Sequence, residues 1–278
     1  MTTRTSCLRV TIMALTNEKS NGAADGSPVR WNIQRISPAD LKDALLKGLD
    51  DFKAKPSHLV LLAVIYPLAM LVAVNVAAGY ELLPLVFPLV SGFALIGPVA
   101  AVGLYDMSRQ REQGLEITWE HAFTIFSSHN IIAIVKLSIL LGAIYFAWLG
   151  TAYAMFRFIF GDAVPASISE FVWQVLATPA GWALIIVGCG VGFVFALVVL
   201  AISAVSFPLL LDRDVSATTA LQTSVRAFLA NPMTMLMWGF IVASLLLIGT
   251  VPLFVGLAVV MPVLGHATWH LYRKVVVH

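Results

Sequence analysis

Residues 248–252 read IGTVP, and they lie in the middle of an apolar stretch that runs from residue 233 to residue 272. One helix over these 40 residues would be about 60 Å long, twice the thickness of the hydrocarbon core of a bilayer. Gly249 tolerates unusual backbone dihedrals, and Pro252 has no amide hydrogen with which to continue a helix. We therefore predict that the chain folds back here and forms two membrane-crossing helices; a single kinked helix is the alternative.

The composition of the whole chain is typical of an integral membrane protein. Of the 278 residues, 59% are hydrophobic and 12% are charged, whereas roughly a quarter of the residues in soluble domains are charged. The 17 Lys and Arg residues exceed the 15 Asp and Glu residues by a net charge of only +2, which gives no indication of a nucleic-acid partner. Cys7 lies in a polar tail and Cys189 in an apolar run, so we expect two free thiols.

Further stretches of the chain are also long and apolar enough to span a bilayer, and with the fold-back they bring the predicted total to six. Lys and Arg accumulate on the cytoplasmic side of membrane proteins. Six spans place the nine Lys and Arg residues of the first 57 positions on the same side as Arg273 and Lys274, whereas five spans would separate them. We expect a multi-pass protein embedded in the lipid bilayer of the bacterial inner membrane, with both termini in the cytoplasm. The further stretches are residues 58–80, 82–106, 130–156 and 180–211.

The segment SPADLKDALLKGLDDF, residues 37–52, predicts an amphipathic helix ahead of the first span. Ser37 suits the N-cap and Pro38 the first helical position. The spacing of its apolar or small residues recurs in the next two predicted cytoplasmic loops. In addition, when the six predicted spans are taken as three consecutive pairs, a proline lies near the cytoplasmic end of the second span of each pair. The three stripes are Leu41, Ala44, Leu45, Gly48, Leu49 and Phe52; Leu115, Thr118, Trp119, Ala122, Phe123 and Phe126; and Ala217, Ala220, Leu221, Ser224, Val225 and Phe228, and the prolines are Pro98, Pro208 and Pro262.

These recurrences predict an all-α fold of three transmembrane hairpins, each preceded by a cytoplasmic amphipathic helix. The alternative is that any loop helix beside a membrane becomes amphipathic. The predicted repeat units cover residues 37–109, 112–212 and 214–273, within a membrane domain over residues 36–278. Residues 1–35 are expected to form a disordered cytoplasmic tail, in which Met13 is an alternative start.

The segment GHATWHLYRK, residues 265–274, places His266 and His270 four residues apart, and such residues share a helix face. The pair could bind a metal ion or a haem, or it could lie at the membrane surface. A metal site needs further ligands, for which Asp106, His121 and His129 are distant candidates. Aromatic and basic residues next to the histidines are typical of a membrane interface, so we favour interfacial histidines and predict no cofactor. Those neighbours are Trp269, Tyr272, Arg273 and Lys274.

The predicted spans contain few other groups that could carry chemistry. Lys136 lies six residues beyond Asn130, so its side chain can reach the inner interface, and this interpretation is favoured over a buried functional lysine. Pro98 frees a backbone carbonyl, and a helix kinked there could line a polar cavity or simply bend around its neighbours. No Ser/His/Asp order and no phosphate-binding glycine loop is present, which predicts that the protein is not an enzyme.

Three segments carry a resemblance to a known family. They are LIGPVAAVGLYDMSR at 95–109, which contains Asp106 and Arg109, SFPLLLDRD at 206–214, and GHATWHLYR at 265–273. The chain resembles an uncharacterised family of bacterial predicted integral membrane proteins, classed as a domain of unknown function, over residues 35–275. Some members carry a cytochrome oxidase subunit I label, but that protein has histidines deep in several helices, so the label is not carried over.

Three functions are compatible with the sequence. The nearly featureless spans favour a scaffold, assembly or regulatory component, with other membrane proteins or a second copy of the chain as partners. Helices broken by proline suit a small-solute transporter or channel. The His266 and His270 pair would suit a metal or haem protein. The residues named above as candidates for any functional site are His266, His270, Asp106, Arg109, Lys136 and Pro98.

Overall fold

The computed structural model describes residues 31–54, 84–115, 130–161, 167–251 and 256–277. Outside these ranges lie residues 1–30 of the predicted tail, the predicted span over residues 58–80, nearly all of the second amphipathic segment, and His121 and His129. Residues 31–35 of the predicted tail are described and include β1. The elements in chain order are β1 (Asn32–Ile33), α1 (Pro38–Ala54), α2 (Val86–Gly92), a 3₁₀ turn (Phe93–Ile96), α3 (Gly97–Ala100), α4 (Val102–Glu112), α5 (Ile131–Phe160), α6 (Ile168–Ala177), α7 (Pro179–Ser203), α8 (Ser206–Asp212), α9 (Ala217–Ala230), α10 (Pro232–Thr250), α11 (Leu257–Val275) and β2 (Val276–Val277).

Four helical stretches among the described residues are long and apolar enough to cross a bilayer. They correspond to the predicted second to fifth spans. Their apolar side chains point outward, as Phe146 on α5 and Phe240 on α10 show with exposed fractions of 70% and 73%. In water such surfaces would be unfavourable, whereas in a bilayer lipid covers them. The stretches are Val86–Glu112, Ile131–Phe160, Pro179–Asp212 and Pro232–Thr250.

The apolar stretch over residues 233–272 forms two helices, as the fold-back prediction requires. α10 ends at Thr250 and α11 begins at Leu257, and a Cβ atom placed on Gly249 would lie 2.8 Å from Leu257 Cδ2. α11 is not among the four candidate spans. Polar and charged residues in its second half, which is buried against α1 and α4, lower its mean hydropathy below that of the four candidate spans.

Two of the candidate spans are broken near the predicted prolines. The first changes from α2 to the 3₁₀ turn and then to α3, where Pro98 lies in the first turn. The other is interrupted at Ala204–Val205, four residues before Pro208, which has no amide hydrogen for a helical bond. Ser224 of α9 fills this break, because its hydroxyl accepts from the Val205 amide at 3.2 Å and donates to the Ala201 carbonyl at 2.8 Å. The third proline, Pro262, lies inside the continuous helix α11.

The amphipathic helix α1 lies against α11 through a face of small residues. A Cβ atom placed on Gly48 would be 2.6 Å from the Ala267 amide nitrogen and 2.7 Å from the Val263 carbonyl oxygen. The two helices therefore touch backbone to backbone. This face is rotated from the predicted stripe, in which Leu45, Leu49 and Phe52 were expected to share the burial. Its buried residues are Leu41, Ala44, Gly48 and Asp51.

Helix α9 buries residues at the same offsets as α1. Ala220, Ser224 and Ala227 of α9 correspond to Ala44, Gly48 and Asp51 of α1 in the predicted alignment, and all six are buried. Gly48 lies against the Val263 carbonyl and the Ala267 amide of α11, and Ser224 contacts the Ala201 carbonyl and the Val205 amide. In both cases the amide follows the carbonyl by four residues. These shared contacts support a repeat of the amphipathic helix.

The segment before α1 is fixed by Asn231, which lies between α9 and α10. Its side-chain oxygen accepts from the Ile36 amide at 2.8 Å, and its side-chain nitrogen donates to the Gln34 carbonyl at 3.0 Å. β1 pairs antiparallel with β2, so residues 32 and 33 lie beside residues 277 and 276. The start and the end of the described membrane domain are thereby joined.

Asn231→Ala is expected to lower the free energy of unfolding by about 2 kcal/mol, because it leaves the buried Ile36 amide without its acceptor. The matched control is Asn32→Ala, in which the same side chain is removed from an exposed strand position. Thermal unfolding of the purified protein in detergent, followed by circular dichroism, measures both. Equal midpoints for the two variants would contradict the role given to Asn231.

Candidate functional site

The clearest concentration of buried polar side chains in the described residues surrounds Asp51. We call Asp51, Ser108, His266, His270 and the exposed Arg111 the Asp51 cluster. Asp51 Oδ2 accepts from Ser108 Oγ at 2.6 Å and is 2.8 Å from His270 Nε2, and Asp51 Oδ1 is 2.5 Å from Arg111 Nη1. The cluster therefore joins three helices that are far apart in sequence, α1, α4 and α11.

The hydrogen bonds fix the direction in which protons are donated. Ser108 has one hydroxyl proton and donates it to Asp51, so the 2.6 Å contact between Ser108 Oγ and His266 Nδ1 requires His266 to donate. His266 Nε2 is then a lone pair, and this atom is buried with no hydrogen-bond partner among the described residues.

This order of residues differs from that of a serine hydrolase. In a catalytic triad the histidine lies between the serine and the aspartate and removes the serine proton. Here Ser108 lies between Asp51 and His266, and the proton on His266 Nδ1 points at the serine oxygen. The arrangement holds Ser108 in place and does not activate it as a nucleophile.

Asp51 is ionised in this environment. Burial by itself raises the pKa of its carboxyl group, but the hydrogen bonds from His270 and Ser108 and the charge interactions with the two histidines outweigh burial, and the pKa lies below its usual value. The same carboxylate is paired with Arg111. An ionised Asp51 thus accepts from all three neighbours.

The pH dependence of stability should report this interaction. Because the folded pKa of Asp51 is lowered, its contribution is fully present above the unfolded pKa of about 3.9 and is lost as the pH falls through the folded value. Asp40 acts in the same direction, since hydrogen bonds from Ser37 and Lys274 lower its pKa to about 2. We expect the melting midpoint to fall more steeply below pH 4 in the wild type than in Asp51→Asn. Parallel curves for the two proteins would contradict the assignment.

A second group of polar contacts lies one turn further along α11. We call Glu112, Asp212, Trp269, Tyr272 and Arg273 the Asp212 belt. Tyr272 Oη donates to Asp212 Oδ2 at 2.8 Å, and Trp269 Nε1 donates to Glu112 Oε2 at 3.1 Å. Arg273 contacts both carboxylates, at 3.2 Å and 3.5 Å. The belt connects α11 to the ends of α4 and α8. We call the Asp51 cluster and the Asp212 belt together the platform.

The structure brings the two predicted histidines together at Asp51. They form hydrogen bonds with Ser108 and Asp51, partners that the sequence did not indicate. His266 is buried, and His270 is largely buried beside it. Both imidazole rings point into the protein, with His266 at Ser108 and His270 at Asp51. Among the described residues, no group of three or more His, Cys, Asp or Glu side chains is arranged to hold a metal ion.

The other predicted candidates lie apart from the histidines. Asp106 is buried and binds Arg109 at 2.7 Å and Gln110 at 2.6 Å on its own helix, and Arg109 also donates to the Leu211 carbonyl. Lys136 is exposed and lines a shallow groove of about 340 Å³ between the start of α5 and the loop before α9. Pro98 is half-buried in α3.

Sequence reasoning missed the acceptor at the centre of the cluster. Asp51, Ser108 and Arg111 were not among the candidates, because no sequence motif connects them. A signal was present, since Asp51 follows Gly48 by three residues and Ala44 by seven, which puts all three on one face of the helix. Small residues on such a face indicate close packing against another helix.

Part of the chain matches the model of a known protein family. Residues 86–212 match the model of a family described as "Predicted integral membrane protein (DUF2189)". The match contains LIGPVAAVGLYDMSR and most of SFPLLLDRD, and it confirms the resemblance seen in the sequence, while GHATWHLYR lies beyond it. No curated protein and no solved structure matches the chain. Residues 86–212 are therefore similar to this family of predicted integral membrane proteins, whose function is unknown.

Proposed function

We propose that the protein is a non-catalytic scaffold of the bacterial inner membrane that presents its platform to another membrane protein or to a second copy of the chain. The observation that carries this proposal is that acidic side chains of the platform are paired with hydrogen-bond donors on other helices. Asp51, Asp212 and Glu112 each accept hydrogen bonds from side chains on other helices. Such a network favours a rigid surface over a chamber for substrate.

The proposed topology has six spans in three hairpins, with the platform and both termini in the cytoplasm. The distribution of positive charge supports it. Among the described Lys and Arg residues, Arg157 is at the end of α5 remote from the platform, whereas the others lie on segments that begin or end beside it. This asymmetry is the one expected when the platform faces the cytoplasm. α11 would be the sixth span, returning the chain to the platform.

A small-solute transporter is the second candidate, and the broken helices favour it, because transporters often bind substrates where helices are interrupted. Both breaks are nevertheless packed against neighbouring helices. Ser224 occupies the break at Ala204–Val205, and Trp148 of α5 donates its indole N–H to the Pro88 carbonyl at 3.0 Å beside the other. This packing supports the scaffold over a solvent-filled route.

Photo-crosslinking in native membranes tests the scaffold. A benzophenone amino acid replaces Leu46, which is 51% exposed on α1, and in the matched control it replaces Phe146 on the apolar surface of α5. We expect a discrete protein adduct from position 46 that is absent from position 146 and lost when Asp51→Asn is added. The captured protein is identified by mass spectrometry, and the crosslink is repeated with the tag on that protein. The absence of any protein adduct at position 46 would contradict the proposal.

Osmotic swelling of proteoliposomes tests the alternative. The scaffold predicts that vesicles containing the protein swell in urea, glycerol and potassium chloride at the same rate as empty vesicles. Swelling that is several-fold faster for any one solute, and whose rate changes in Trp148→Ala or Ser224→Ala, would favour the transporter instead.

A further inference from the structure

Helix α6 lies at the end of the bundle opposite the platform, in the segment between the predicted spans over residues 130–156 and 180–211. The preceding helix α5 starts at Asn130, whose side chain donates to the Leu210 and Arg213 carbonyls near the platform. Along α5, Lys136 and Arg157 are separated by about 31 Å, given a rise of 1.5 Å per residue. This spacing equals the thickness of a hydrocarbon core, roughly 30 Å, so the two charges mark its two boundaries. α6 begins at Ile168, eleven residues after Arg157, and its Phe171 ring lies 6.1 Å from the ring of Phe156, the neighbour of Arg157, so α6 is level with the far boundary.

One side of α6 packs on the protein and the other does not. Phe171, Gln174 and Val175 are half-buried, and the Phe171 ring lies 6.1 Å from the Phe156 ring of α5. The residues at the first, fifth and ninth positions of the helix form an apolar stripe that is exposed, and next to it Trp173 is 70% exposed. The stripe residues are Ile168, Val172 and Leu176.

The corner between α6 and α7 fixes the direction of this stripe. Thr178 donates its hydroxyl to the Gln174 carbonyl at 2.5 Å and accepts from the Gly181 amide at 3.0 Å, so it closes one helix and caps the next. Gly181 has no room for a side chain, because a Cβ atom there would collide with the carbonyls of Gln174 and Val175. α6 is held against the start of α7 and cannot turn its apolar side inward.

We propose that α6 is an interfacial helix whose stripe lies among the lipid headgroups and upper acyl chains at the far boundary. The neighbouring helices α5 and α7 also expose apolar side chains at this end, among them Phe158 and Trp182, and an exposed tryptophan suits the headgroup level. The stripe and Trp173 together are four exposed side chains, far fewer than the roughly 20–30 residues a side of a specific protein interface. Lipid is therefore the occupant, and this inference does not depend on the scaffold role.

Spin labelling measures the depth of the helix directly. Cys7 and Cys189 are first replaced with serine, and single cysteines are then placed at Val172 or Leu176 on the stripe, with Glu170→Cys as the control on the polar side of the same helix. The labelled proteins are reconstituted in vesicles of phosphatidylethanolamine and phosphatidylglycerol. We expect the ratio of oxygen to nickel-chelate collisions to be several-fold higher at positions 172 and 176 than at position 170.

Three outcomes would overturn the proposal. High nickel accessibility at all positions places the helix in water. Spin–spin broadening at positions 172 and 176 places a second copy there, and low accessibility to both reagents indicates a covering protein segment.

A second measurement does not need cysteine: lipids brominated near the headgroup should quench tryptophan fluorescence less in Trp173→Phe than in the wild type, and equal quenching contradicts the location.

Discussion

Asp51→Asn is expected to lower the free energy of unfolding by about 3 kcal/mol, which is the usual cost of removing one partner from a buried charged network. The amide that replaces the carboxylate cannot accept from Ser108, Arg111 and His270 together, and Arg111 loses its counter-charge. The effect should appear first as release of α1 from α11. Limited proteolysis within α1 and the thermal midpoint in detergent measure the two consequences.

Asp50→Asn provides a matched control, since it makes the same chemical change one residue earlier at an exposed position. Its midpoint should lie within error of the wild type. If the two variants melt together, the carboxylate of Asp51 does not stabilise the platform. Asp51→Glu serves as a second variant, and it should recover part of the lost stability because the charge is kept.

Gly48→Ala is expected to cost about 2 kcal/mol, even though alanine is the better helix former. The added methyl group would lie 2.6 Å from the Ala267 nitrogen and 2.7 Å from the Val263 oxygen, and neither backbone atom can move without shifting α11. Gly48→Val should be more destabilising, because it adds two further carbons to the same contact. Thermal unfolding in detergent gives the order of the three proteins.

Gly103→Ala is the control for this prediction. Gly103 lies in α4, and an added Cβ atom would meet nothing within 4 Å in the described structure. The change should leave stability unaltered or raise it by up to about 1 kcal/mol through helix propensity. A loss at position 103 equal to that at position 48 would show that the contact with α11 is not the cause.

The start of α1 was predictable from sequence because its capping is local. Ser37 and Asp40 are three residues apart, and the structure shows the Ser37 amide donating to Asp40 Oδ2 at 2.9 Å. The face that α1 buries was less predictable. Hydrophobic periodicity grouped Ala44 and Gly48 with Leu45, Leu49 and Phe52 in one stripe. The contact with α11 requires small side chains, and it buries Ala44 and Gly48 but not the three larger residues.

The Asp51 cluster could not be derived from sequence, because its members come from three segments with no common motif. Ser108 is 57 residues from Asp51, and His270 is 219 residues from it. α6 is different, since a local signal was present and was missed. Ser167 precedes Glu170 by three residues, as in a capping box, and the structure shows the Glu170 amide donating to Ser167 Oγ at 3.1 Å.

The docking of α1 on α11 has a consequence for biosynthesis. A ribosome adds about 5–20 residues per second, so the 219 positions between Asp51 and His270 take roughly 10–40 s to translate. Throughout that interval the nascent α1 has no α11 to cover its docking face. Premature termination before residue 257 would leave that face permanently uncovered, which makes it a natural recognition element for chaperones and for membrane quality-control proteases.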